Sequence, residues 1–339
     1  MAWLLSSQTI AREAQSASPA AGQAPLLHGA TGWLNSPPLT EGAVRGKVIL
    51  VDFWTYTCIN WRRTLPYVRA WAEKYQNHGL VVIGVHTPEF GFEKDIDNVR
   101  RETSALAVSY PVAVDSDYAI WNTFRNQYWP AVYIVDAKGK MRHHQFGEGG
   151  YEETERVIQQ LLTEAGNVDV PRDLVSVNAQ GAEAPADYAN LKTPETYVGY
   201  RQAQGFASLG GVIRDSALRY AAPAALRLNR WAIEGEWTIG AEAASLNRAG
   251  GKVVYRFHAR DVNLIMGPTK KGSAVRFRVR IDGAPPGAAH GLDVDEQGNG
   301  ITQEPRMYQL LRQQGPITDR TFEIEFLDSS VDVFDFTFG

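Results

Sequence analysis

The chain has 339 residues and a single cysteine, Cys58, set in the run Trp54-Thr55-Tyr56-Thr57-Cys58-Ile59-Asn60-Trp61. An almost wholly apolar stretch ends just before this run, and a helical pattern begins within it. A thiol at the start of a helix faces backbone N–H groups that have no intrahelical acceptor, and it faces the positive end of the helix dipole. Both favour the thiolate, so such a site can hold a cysteine below its ordinary pKa of about 8.5. Thiolate is the species that attacks a disulfide. A lone cysteine is otherwise most often a buried structural residue, and it is the position that gives Cys58 a chemical reading. A second segment of interest is Tyr128-Trp129-Pro130-Ala131, where a proline enters a strand. A proline is allowed at that position with either isomer of its peptide bond.

The surrounding pattern supplies elements to hold these residues. Val48 to Trp54 is nearly continuous and β-branched, as expected of a strand buried on both faces. Trp61, Leu65, Val68, Ala72 and Tyr75 then form one apolar stripe of a helix. Pro66 lies inside that stripe, where a kink is expected. Leu80 to Val85 reads as a second buried strand, which gives a parallel strand–helix–strand unit. A helical pattern follows over 93–106, then a short strand at Pro111 to Val114. A hairpin is expected from Ala131–Val135 and Met141–Phe146 across Asp136-Ala137-Lys138-Gly139, and a last helix at about 151–164.

Beyond about residue 191 the pattern becomes repeated strands: Val253 to Ala259, Val262 to Met266, Val275 to Ile281, Phe322 to Phe326 and Val331 to Phe338. Many strands with Gly and Pro turns imply an antiparallel sandwich or jelly roll. The expected division is a disordered leader or signal remnant at 1–24, an α/β domain at 25–166, a linker at 167–190 and an all-β domain at 191–339. A net charge of −4 gives no electrostatic support to a nucleic-acid partner. No apolar run reaches the roughly 18 residues that a membrane span needs. With one cysteine, an intramolecular disulfide and a cysteine-rich zinc site are excluded.

Val51-Asp52-Phe53-Trp54, Cys58, Pro66 and the strand-entry Pro130 together resemble the thioredoxin superfamily, in its TlpA/redoxin-like branch. The resemblance is nearer still to the soluble C-terminal part of DipZ-type thiol–disulfide interchange (cytochrome c biogenesis) proteins. It rests on Gly32 to Asn35, Trp54 to Trp61, Thr87 to Phe90 and Pro194 to Tyr197, and it runs to Phe336-Thr337-Phe338-Gly339. It implies a thioredoxin-like α/β domain followed by a β-sandwich of carbohydrate-binding-module type. It implies Cys58 as an exposed nucleophile, Pro130 as a cis proline that orients the incoming disulfide, and Asp52 as a buried acid beneath the helix. It also implies an extracytoplasmic, periplasmic setting. No cofactor and no metal are expected. Trp54, Tyr56, Trp61 and Trp129 would be neighbours of the thiol.

One departure matters. Trp61 stands where the family has its second cysteine, so a dithiol cycle within the chain is excluded. Three readings follow. In the first, Cys58 is a one-cysteine redox centre that forms a mixed disulfide or a sulfenic acid. Its partners are a protein disulfide, a small thiol or a peroxide, and an external thiol resolves it. In the second, the site is redox-inactive, and Trp61 and Trp129 form an apolar binding surface. In the third, the β domain defines the function by binding a glycan or a protein. The plainest role for Trp61 is core packing; a sharper one is shielding Cys58 from over-oxidation.

Other signals are weaker. His143 and His144 should point to opposite faces of a strand, which makes them poor joint metal ligands. Asp293 to Gly300 is acidic and Gly-rich but lacks a full calcium-loop spacing. Trp231, Trp237 and Tyr308 read as core before sugar platforms, and His86 as a satisfied polar residue at a strand end.

Overall fold

The computed structural model describes residues 27–339, so the expected leader at 1–24 lies outside the described residues. The chain divides into two compact units at Asn178/Ala179. This point falls inside the segment 167–190, and that segment is divided between the units. Val170 is buried in the first core, and the Val175 N–H donates to the Glu155 carboxylate. Arg312 donates to the Gly181 carbonyl in the second unit, and Arg260 to that of Pro185.

The first unit begins with β1 (Gly32–Leu34), a short α1 (Glu41–Val44), β2 (Val48–Trp54) and α2 (Ile59–Tyr75). β3 (Leu80–His86), α3 (Ile96–Ala105), β4 (Val112–Val114) and α4 (Ala119–Phe124) follow. β5 (Ala131–Val135), β6 (Met141–Phe146) and α5 (Tyr151–Glu164) complete it. The sheet order is β1-β4-β3-β2-β5-β6. β2, β3 and β4 run parallel, and β5 and β6 are antiparallel additions. The apolar alternation of β2 therefore serves two cores. Val48, Leu50 and Trp54 face the core beneath α2 and α5, while Val51 and Phe53 join a second core with Trp121, Phe124 and Tyr133. Helix α2 continues through Pro66 and ends in a turn closed by Gly79 at φ 91°.

The second unit holds β7 (Thr196–Tyr197), β8 (Ala217–Tyr220), β9 (Arg230–Ile239), β10 (Ala244–Leu246), β11 (Lys252–Phe257) and β12 (Asp261–Pro268). It continues with β13 (Val275–Ile281), β14 (Asn299–Thr302), β15 (Arg306–Arg312), β16 (Arg320–Phe326) and β17 (Val331–Phe338). All pairings between these strands are antiparallel. The main path is β14-β13-β16-β11-β9-β10-β17-β12-β15, a single large sheet curled around one apolar core. Alternation such as Val275-Arg276-Phe277-Arg278 gives that core its inner face and leaves the other wet.

Candidate active site

Strand β2 carries Asp52 and Trp54 to the face beneath α2. The chain then turns through Thr55, Tyr56 and Thr57, and Cys58 occupies the N-cap of α2, with its backbone extended. The first helical hydrogen bond runs from the Arg62 N–H to the Cys58 carbonyl, at 3.0 Å. The thiol turns toward the cis-proline segment: Sγ lies 3.7 Å from the Trp129 carbonyl oxygen, to which it donates, and the Trp129–Pro130 peptide is cis. Cys58 is only 9% exposed, so the nucleophile expected at the surface is set just below it. Trp129 is half-buried. It is held by its indole N–H on the Thr87 carbonyl at 3.1 Å, and its ring lies 4.2 Å from that of Trp121.

Trp61, one helical turn on, is fully buried, so it lines no binding surface with Trp129. The reason is that it has polar and apolar partners inside. Its indole N–H donates to Asp52 Oδ2 at 3.0 Å, and its ring stacks on Trp54 at 4.2 Å and 20°. The Tyr110 hydroxyl donates to the same Asp52 oxygen at 3.3 Å. Asp52 Oδ1 has no hydrogen-bond partner among the described residues. Burial pushes the Asp52 carboxyl up from 3.8 to about 7, with the two donors pulling the other way. Trp54 and Tyr56 are also buried, the first edge-on to His86 and the second stacked on it. His86 is wholly inside, and burial holds its ring neutral, with a pKa near 3. Both its ring nitrogens lack hydrogen-bond partners among the described residues, so it is not the satisfied polar residue expected from its place in the sequence.

Sequence reasoning missed three members of the site. Tyr110 reaches Asp52 from just ahead of β4. Gly84 on β3 leaves room for two rings, since a Cβ there would lie 2.8 Å from Trp54 Nε1 and 3.1 Å from a Tyr110 ring carbon. A glycine inside a buried strand was the available signal. Glu93 accepts from the Thr57 hydroxyl at 2.6 Å, whereas its sequence pattern marks only the start of a helix.

The remaining candidates separate from the site. Register puts His143 opposite Ile134 and His144 opposite Tyr133, on opposite faces. In the Asp293–Gly300 loop both aspartates are already engaged. Asp293 pairs with Arg306 at 2.7 Å and accepts the Gln309 N–H, while Asp295 accepts the Asn299 N–H. Trp231, Trp237 and Tyr308 are core residues. No group of three or more potential metal ligands occurs among the described residues.

Comparison with known proteins agrees with this geometry. Residues 46–141 match the family described as "Thioredoxin-like", and residues 193–339 match "Thioredoxin like C-terminal domain". Thiol-disulfide oxidoreductase YkuV of Bacillus subtilis is 32% identical over 140 residues, which is 41% of this chain and 94% of that protein. The chain belongs to the thioredoxin superfamily. Within the family it is a homologue of Protein DipZ of Mycobacterium tuberculosis, at 39% identity over 259 residues. That match covers 75% of this chain and 36% of DipZ, so the chain spans little more than a third of that relative. A solved thioredoxin-like protein in its oxidised form superposes with a TM-score of 0.39 at 32% identity, covering 42% of this chain and 97% of the other.

Proposed function

We propose that the chain is a thiol–disulfide oxidoreductase of thioredoxin type that works through Cys58 alone. The Cys58 thiolate attacks one sulfur of a disulfide. A bond forms between the two sulfurs, and the other sulfur leaves as a thiolate that takes up a proton. The mixed disulfide then waits for an external thiolate, which attacks it, takes the substrate half away as a new disulfide and returns Cys58 to its reduced form. With a peroxide as oxidant, the Cys58 thiolate attacks one oxygen to form the S–O bond of a sulfenic acid as the O–O bond breaks, and the other oxygen leaves as hydroxide or alkoxide and takes up a proton. A thiol then condenses with the sulfenic acid to the same mixed disulfide, releasing water. The Trp129 carbonyl, which accepts from the sulfur, and Pro130, joined to it by a cis bond, orient the incoming group. Asp52 is a proton-holding group beneath the helix, with Trp61 as its fixed donor. The names of YkuV and other relatives support the activity. The extracytoplasmic setting implied by the DipZ resemblance belongs to the same proposal. No helix among the described residues is long and apolar enough to cross a membrane.

The observation that carries this reading is the pair of positions 58 and 61. The thiol sits at the helix N-cap against the cis-proline segment, and one turn on the indole of Trp61 is bonded to Asp52. The test is Trp61→Cys, with Cys58→Ser as control. The native chain should accumulate a one-to-one mixed disulfide with a small disulfide reagent. Trp61→Cys should release that adduct by forming a bond between residues 58 and 61, and Cys58→Ser should form none. An adduct equally persistent in Trp61→Cys and in the native chain would show that the sequence change at 61 does not govern resolution.

A further inference from the structure

The Cys58 turn is tied by side chains on both sides of the thiol. On the helical side Trp61 bonds to Asp52. On the other, the hydroxyl of Thr57 donates to Glu93 Oε1 at 2.6 Å, with both residues fully buried. The second oxygen of Glu93 accepts the N–H groups of Glu89 and Phe90, at 2.6 and 3.0 Å. One carboxyl group therefore fastens two segments together: the turn that ends in Cys58 and the turn that follows β3. The Cys58 side chain donates to the Trp129 carbonyl and does not cap the helix. Within the turn, the Cys58 N–H also donates to the Thr55 carbonyl, at 3.2 Å.

Resting on the proposed thiol chemistry, we infer that Glu93 is a positioning residue for Cys58: acting through Thr57, it holds the sulfur at the end of α2. The advantage of a helix N-terminus to an anion is confined to the first turn. A turn free to move would carry the sulfur out of that field. Burial raises the Glu93 pKa, and the hydroxyls of Thr55 and Thr57 and the N–H groups of Phe90 and Glu89 oppose that rise. Other charged groups face the same turn. From α2, Arg62 donates to the Tyr56 carbonyl at 2.9 Å and lies 3.7 Å from Glu102. From α3 and its N-cap come Glu102, Arg101 and Asp95, each of which acts on the Tyr56 hydroxyl, as Glu93 does. Asp52 lies beneath on β2, and His86 on β3 is neutral. A Thr57 substitution leaves every one of these charges in place, so it isolates the tie.

The experiment compares Thr57→Val, which keeps the shape and loses the hydroxyl, with Thr57→Ser, which restores it. The rate of Cys58 alkylation is followed against pH in the full chain, with an unfolded control. Near-UV circular dichroism confirms that each variant is folded. Thr57→Val should react about threefold more slowly at pH near 7 than the native chain, with its midpoint moved toward that of the unfolded thiol. Thr57→Ser should match the native chain. Hydrogen exchange of the Cys58 amide should quicken in Thr57→Val and not in Thr57→Ser. Equal profiles and equal exchange in all three proteins would overturn the inference. A native thiol no more reactive than the unfolded control would instead defeat the proposed chemistry, and the exchange data would still decide whether the tie exists.

Discussion

Replacing Asp52 with asparagine should make the protein more stable above neutral pH, by an amount that vanishes in acid. The carboxyl is fully buried, and its pKa rises from 3.8 to about 7 in the fold because burial disfavours the charged form. The sign follows from proton linkage. Between the two pKa values the folded chain holds a proton at Asp52 that the unfolded chain has lost. The native protein is therefore best supported below about pH 4 and loses that support as pH rises through about 7. Each pKa unit is worth about 1.4 kcal/mol, so the loss amounts to about 4 kcal/mol once Asp52 is ionised. Asparagine keeps an oxygen to accept from Trp61 and Tyr110 and has no charge to desolvate. Urea unfolding of both proteins from about pH 4 to about pH 8 measures the difference. Curves that converge in acid and separate by a few kcal/mol in base are expected. A difference that stays constant with pH, or an asparagine variant that is the weaker one in base, would refute the burial argument.

Other outcomes follow from contacts in the first unit. Gly84→Ala should lower stability by about 1–3 kcal/mol, because its Cβ must displace the buried rings of Trp54 and Tyr110; urea unfolding reads this. Glu155→Ala should cost about 3 kcal/mol, since the buried carboxylate accepts from Tyr75, Lys74 and Val175. It should also speed proteolysis near residue 173, because Val175 and Lys74 tie that segment down. Tryptophan fluorescence should change with pH near Asp52's midpoint in the native chain and lose that change in Trp61→Phe, where the bonded indole is gone.

The sequence made the location of the thiol legible because two strong periodicities meet there. The β-branched run Val48–Trp54 and the stripe Trp61, Leu65, Val68 leave Cys58 no place except the strand–helix junction. The expected parallel unit, the hairpin over Asp136–Gly139 and the last helix of the first unit all appear. The bond between Trp61 and Asp52 was not legible. It depends on how α2 lies on the sheet, and nothing in the order of residues fixes that. Tyr110 joins only because β4 lies beside β3, and Glu93 because a loop folds back onto Thr57. Burial of Trp61 removes the binding-surface reading and agrees with its place in the apolar stripe, where core packing is its plainest role. In the second unit β9 escaped notice because Glu234, Gly235 and Glu236 interrupt its apolar alternation, with Gly235 at φ 103°. The segment 167–190 reads as a linker from its composition, and in the structure buried Val170 and partly buried Val175 pack its first part against the first core.

The central claim is that Cys58 attacks a disulfide and cannot release the product alone. The direct measurement is intact-protein mass spectrometry during reaction of the reduced chain with a small symmetrical disulfide, beside the same chain unfolded. One adduct at Cys58 is expected, formed faster in the folded protein and stable until a free thiol is added. No adduct in the folded protein while the unfolded chain reacts, or an adduct that disappears without added thiol, would contradict the account.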